Sequence, residues 1–220
     1  MVDSVDNSFW AIDILGSWIE VGMVLIVVMA GLAIGATTIN SSVKNKKKII
    51  NPCASSYREQ HTRIHEFLTE IRVKLGAERA AVLQFHNGGN FLDGSSMKKF
   101  SLTHESCVVG VSESMGSRQN LQVTAFMEML EILSRDQASV EITSSLPDCH
   151  LKRHLEANHT LVYSMLPLKN ARGVLTVGCL LVEWCNWDKA DELDDDLVTL
   201  EMPQFARYIE GQMIGANIHG

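Results

Sequence analysis

Between Glu20 and Lys44 the chain contains no Asp, Glu, Lys or Arg. Its apolar centre reads VGMVLIVVMAGLAIGATTI. Nineteen residues at helical rise span about 28 Å, close to the hydrocarbon thickness of a bilayer. Lys44, Lys46, Lys47 and Lys48 follow the run, whereas Asp3, Asp6, Asp13 and Glu20 precede it without a single Lys or Arg. The positive-inside rule then expects the N-terminus outside and the rest in the cytoplasm, with Trp10 and Trp18 at the far interface. A cleaved signal peptide fits poorly, because its n-region would be acidic. A buried core helix fits poorly too, given the four-lysine stop. Gly31 and Gly35 form a G-x-x-x-G pair, a spacing that lets two spans approach closely.

The expected organisation is a short extracytoplasmic tail (1–20), a transmembrane helix (21–43), a basic linker (44–56), one folded domain (57–214) and a tail (215–220). The first fifty residues hold four acids and four lysines, so the whole net charge of −7 falls after them. An acidic domain is a poor match for a phosphate backbone, and no nucleic-acid partner is expected.

In the folded part, Ile64, Phe67, Leu68, Ile71 and Leu75 recur at helical spacing, and Gly76 ends that helix. Residues 80–86 (AAVLQFH) read as a strand closed by Asn87-Gly88-Gly89. Residues 98–106 and 107–111 read as further strand. Residues 121–133 read as an amphipathic helix, with Leu121, Phe126, Met127, Leu130 and Leu133 on one face. A short strand at 140–142, a helix at 151–158 and two strands at 160–168 and 173–184 follow. The last two are close enough to pair as an antiparallel hairpin. A final helix over 191–209 carries Pro203. Terminal helices enclosing antiparallel strands predict an α+β sheet with helices on one face and connecting segments on the other.

The phrase TLVYSMLPLKNARGVLTVGCLLVEW, preceded by a short helix and followed by an acidic approach to a closing helix, resembles the GAF domain. The strand ends in Pro167-Leu168, a turn follows, and a strand led by Gly173 returns beside it. The resemblance spans about residues 57–214. It implies a GAF/PAS-like antiparallel sheet and a ligand-binding or dimerising sensor module. The segment from Phe85 to Ser106 also resembles phrases in uncharacterised phage-encoded proteins.

Phe85, His86, Asn87, Phe100 and His104 lie on two strands expected to be neighbours, and Cys149 and His150 open the segment expected to cover them. These seven are the candidate ligand-binding residues, expected to close on one cavity. Imidazoles, an amide and aromatic rings suit a planar polar heterocycle. Cys149, His150 and Asn158 resemble the local pattern of bilin-binding GAF domains, although the aspartate-rich motif upstream is missing. Ligand spacing such as H-x-x-x-H on a helix is missing here, although Cys107 stands near His104, so no metal is expected. The acids from Asp188 to Asp196 lack EF-hand spacing and read as a helix start. P-loop, G-x-S-x-G, H-E-x-x-H and G-x-G-x-x-G motifs are all missing, and no catalytic residue or cofactor is expected.

The expected protein is therefore a membrane-anchored sensor or regulator, homodimeric through its spans and terminal helices, binding an unknown small molecule. An anchored interaction module without a ligand is the alternative. Thiol- or bilin-dependent chemistry is a minor one.

Overall fold

A computed structural model describes residues 56–91, 94 and 96–215. The described residues from Tyr57 onward form one compact unit. The expected span, the linker and the G-x-x-x-G pair lie outside the described residues. Among the described residues, no helix is long and apolar enough to cross a membrane.

Helix α1 covers residues 56–74. Its buried stripe is the expected one: Ile64, Leu68 and Ile71 are at most 1% exposed. Gly76 adopts a φ of +64°, the left-handed conformation that closes a helix at little cost only in glycine. Strands β1 (Arg79–Asn90) and β2 (Ser96–Cys107) then form a long hairpin. Strand β1 runs further than the sequence suggests, while β2 stops at Cys107. Asn87-Gly88-Gly89 do not close β1 but carry an irregular continuation of it, and Val108 to Gly110 lie beyond β2.

The expected helix over 121–133 divides. Leu121–Gln122 is a short strand, β3, paired with β2. A 3-10 turn occupies Val123–Ala125, and α2 covers only Met127–Ser134. Pairing of Leu121 with Phe100 at the sheet edge wins over helical periodicity here. The buried face changes accordingly: Met129, Ile132 and Leu133 face the core, while Met127 is 57% exposed.

Strand β4 (Val140–Ile142), helix α3 (His150–Ala157), and strands β5 (Val162–Lys169) and β6 (Thr176–Trp184) follow as expected. The closing helix is two: α4 (Trp187–Asp191) and α5 (Asp195–Gly215), the latter running through Pro203. Asp194 accepts from the amides of Asp196 and Leu197, so the acidic run does cap a helix.

The six strands form one antiparallel sheet in the order β3-β2-β1-β6-β5-β4. Alternation sends Ala80, Val82, Leu180, Val182 and Trp184 against α1 and α5. It sends Ala81, Leu83, Cys179, Leu181, Tyr163 and Met165 against α2 and α3. The expected division therefore holds: the long terminal helices cover one face, and connecting segments with short helices cover the other.

One irregularity decides where the candidate residues end up. Val82 pairs with His104 and Leu83 with Leu102, which leaves Thr103 as an extra residue in β2. Residues two apart in a regular strand share a face, and a bulge between them breaks that rule. Leu102 packs in the α2–α3 layer, while His104 meets α1.

Candidate functional site

The principal cavity lies where the ends of β1, β2 and β6 meet α2. It measures about 640 Å³ and is lined by Phe85, His86, Asn87, Lys98, Val123, Leu130, Leu133, Ser134, Leu175, Thr176 and Val177. That volume falls within the usual range for small-molecule sites, about 300–1,000 Å³. The walls are Phe85, Val123, Leu130, Leu133, Leu175 and Val177. The polar groups are one imidazole, one amide, two hydroxyls and the ammonium of Lys98. Ser101 Oγ accepts from the Asn120 amide at 2.8 Å and shares a hydrogen bond with His86 Nε2 at 2.9 Å. Asn87 Oδ1 accepts from Ser96 Oγ and from the Gly89 amide, which orders the irregular end of β1.

Of the seven residues singled out from the sequence, Phe85, His86 and Asn87 line this cavity. Phe100 lies beneath it, 2% exposed, with its ring edge-on to Phe85 and to Phe126. The other three are elsewhere, and the expectation of one shared cavity is corrected on that point. His104 is carried to the α1 face by the Thr103 bulge. Cys149 is the N-cap of α3, its sulfur accepting from the Lys152 amide at 3.4 Å. His150 is exposed on the first turn of α3, its ring 6.2 Å from that of Phe126.

His104 is 3% exposed and stacks on His61 of α1, ring centroids 4.8 Å apart. His61 Nδ1 and His104 Nε2 are 2.6 Å apart, and His65 meets His104 edge-on at 5.1 Å. Burial, then the neighbouring His61 and His65, push the His104 pKa down to about 4. A second cavity of about 560 Å³ opens beside this cluster, lined by residues that include Tyr57, Gln60, His61, Gln84, His104 and Lys169.

A third polar group lies at the opposite end of β1 from the principal cavity. Glu183 is fully buried and receives two bonds from Arg118 at 2.8 and 2.6 Å, one from Arg79 at 3.1 Å and one from Thr160 at 2.6 Å. Arg79 also meets Glu105, whose carboxylate accepts from the amides of Ser114 and Met115. Two arginines and two glutamates balance in charge, so the network ties the loop at 112–118 to the ends of the interior strands β1, β2 and β6 rather than waiting for a ligand. Burial would raise the Glu183 pKa, but Arg118 and then Arg79 overcome it and hold the group at about 2.

The thiols of Cys107, Cys179 and Cys185 are poorly suited to nucleophilic work. Burial, foremost, pushes Cys107 and Cys185 up to about 11 and Cys179 up to about 12, leaving almost no thiolate at neutral pH.

Sequence reasoning missed two kinds of residue. Val123, Leu130, Leu133, Ser134 and Leu175 to Val177 reach the cavity from distant segments, and nothing local marks them. His61 and His65 were legible: His-Thr-Arg-Ile-His is an H-x-x-x-H placed on a helix.

No family model matches the chain, and no curated protein matches it. Solved structures similar to it include the blue-light-absorbing form of the PixJ GAF domain from Thermosynechococcus elongatus. That likeness has 16% identity, covers 76% of this chain and 97% of that one, and has a TM-score of 0.44. The phycocyanobilin-bound GAF domain of a cyanobacterial phytochrome is similar at 14% identity over 77% of this chain and 96% of that one, with a TM-score of 0.48. The GAF domain of a sensor histidine kinase from Bacillus halodurans is similar at 14% identity over 71% and 95%, also with a TM-score of 0.48.

Proposed function

We propose that the folded unit is a small-molecule-binding regulatory domain of GAF-like architecture, held at a membrane by the apolar segment that precedes it. The observation that carries this reading is the cavity of about 640 Å³ between the sheet end and α2. Its apolar walls and its few polar groups match the general character of a ligand site. Phe85 offers a ring for stacking, and Lys98 offers a cation at the rim. The ligand class is a planar heterocycle with a polar or anionic edge.

Binding there would act on α2 and on the hairpin ends together. Leu130, Leu133 and Ser134 come from the helix, while Leu175 to Val177 come from the start of β6. A ligand touching both favours the conformations in which they are close, which is how a binding event becomes a regulatory one.

A thermal-shift screen of residues 57–220 against purines, pterins, flavins and bilins tests the reading. A true ligand raises the melting temperature, and Leu130→Trp, which fills the cavity, abolishes the rise. If no compound stabilises the wild type, or if Leu130→Trp responds equally, the cavity is not the site. The anchored interaction module then becomes the better reading.

A further inference from the structure

From the histidine cluster we infer a divalent-metal site of the zinc class, with His61, His65 and His104 as its ligands. It lies on the α1 face of the sheet and is separate from the heterocycle cavity. His61 and His65 are four residues apart on α1, the spacing that brings two imidazoles to one side of a helix. His104 reaches them from β2 because the Thr103 bulge turns it towards α1.

The distances suit a shared ion once one ring turns. Three imidazoles on a tetrahedral ion, at metal–nitrogen distances of about 2.0–2.1 Å, have ring centroids about 5 Å apart. His104 stands 4.8 Å from His61 and 5.1 Å from His65 by that measure. In the metal-free arrangement the His61 Nδ1 to His104 Nε2 distance is 2.6 Å, a hydrogen-bond length. Ligands of one tetrahedral ion need about 3.3 Å between nitrogens. As the rings stand, therefore, no three His, Cys, Asp or Glu among the described residues surround a common ion position. His61 is only half-buried and His65 is exposed, so both are free to swing, whereas buried His104 is the fixed member.

His104 is also held in the form a metal requires. Thr103 Oγ1 donates its only proton to the Val82 carbonyl, at 3.3 Å. It can therefore only accept from His104 Nδ1, at 3.0 Å. That leaves the proton on Nδ1 and the lone pair on Nε2, aimed at His61. A hydrogen bond to the far ring nitrogen is how liganding histidines are oriented in metal sites. Binding replaces the His61–His104 hydrogen bond by two metal–nitrogen bonds, with His61 moving its proton to Nε2, so no net proton is released. Three protein ligands leave a fourth position for water or a small ligand, and the second cavity, which His61 and His104 line, gives it room on their side. Imidazole-only ligation selects zinc, copper or nickel over magnesium or calcium.

The test is calorimetric titration of the full chain, purified in detergent without a histidine tag, with zinc chloride. Visible absorption with cobalt(II) reports the geometry. One equivalent should bind with a Kd of about 10 μM or tighter. His65→Ala, an exposed change that leaves the core intact, and His104→Gln should each weaken binding at least about tenfold. His159→Ala should bind as wild type does. Binding weaker than about 10 μM would overturn the assignment. So would unit-stoichiometry binding that His65→Ala leaves unchanged, or a cobalt spectrum of purely octahedral type.

Discussion

Glu183 shows how much one buried side chain can hold. Three donors converge on a carboxylate that has no contact with water. Replacing Glu183 by Gln leaves Arg79 and Arg118 buried beside a neutral partner. We expect that to cost about 3–5 kcal/mol, measured by urea denaturation. The sign with pH follows from the depressed pKa. The stability this group contributes is present above its ordinary value of 4.5 and is lost as pH falls towards about 2. His104 and His154 act in a higher window. Burial foremost lowers both to about 4, from 6.5. Between those values these two groups bind more protons in the unfolded chain than in the folded one, so their contribution to stability falls as pH drops from 6.5 to 4 and levels off below, where the Glu183 loss takes over. Melting temperatures from pH 7 to 4 should show this decline, and His154→Gln should flatten it. A flat profile in the wild type would contradict both assignments.

At the scale of elements, β6 places a glycine, Gly178, against the backbone of β1. A Cβ on Gly178 would land on the backbone carbonyl of Leu83, which no side-chain rotation can clear. Gly178→Ala should therefore destabilise by about 1–3 kcal/mol. Gly211, inside α5 with open space at its Cβ position, gives the opposite case. Gly211→Ala should stabilise by up to about 1 kcal/mol. Paired denaturation curves check both signs. Most of these elements were legible because their periods are long and clean. The α1 stripe, the β5–β6 hairpin and the short β4 all stand where hydrophobic spacing puts them. The helix expected over 121–133 failed because two of its residues gain more from pairing at the sheet edge. The candidate site was half legible for a similar reason. Strand alternation counted from Phe100 puts His104 on the cavity face, and the Thr103 bulge, which leaves no mark in composition or spacing, turns it away. The α2 and β6 walls come together only through the fold.

The whole molecule joins an acidic folded unit to an apolar segment with a lysine collar. Residues 57–215 have two cores, one on each face of the sheet, closed by α1 and α5 on one side and by α2 and α3 on the other. Such a unit should be soluble by itself and should melt in one cooperative transition. Calorimetry of the isolated fragment checks this, and aggregation or a broad non-cooperative melt would count against the division at the linker. The central claim is that the space between the sheet end and α2 is a ligand site. The most direct measurement is an amide NMR map of residues 57–215 titrated with pterin-6-carboxylate, a planar heterocycle with an anionic edge. The account predicts saturable shifts confined to residues 85–87, 98, 123, 130–134 and 175–177. Shifts scattered over the surface, centred on α1, or failing to saturate would contradict it.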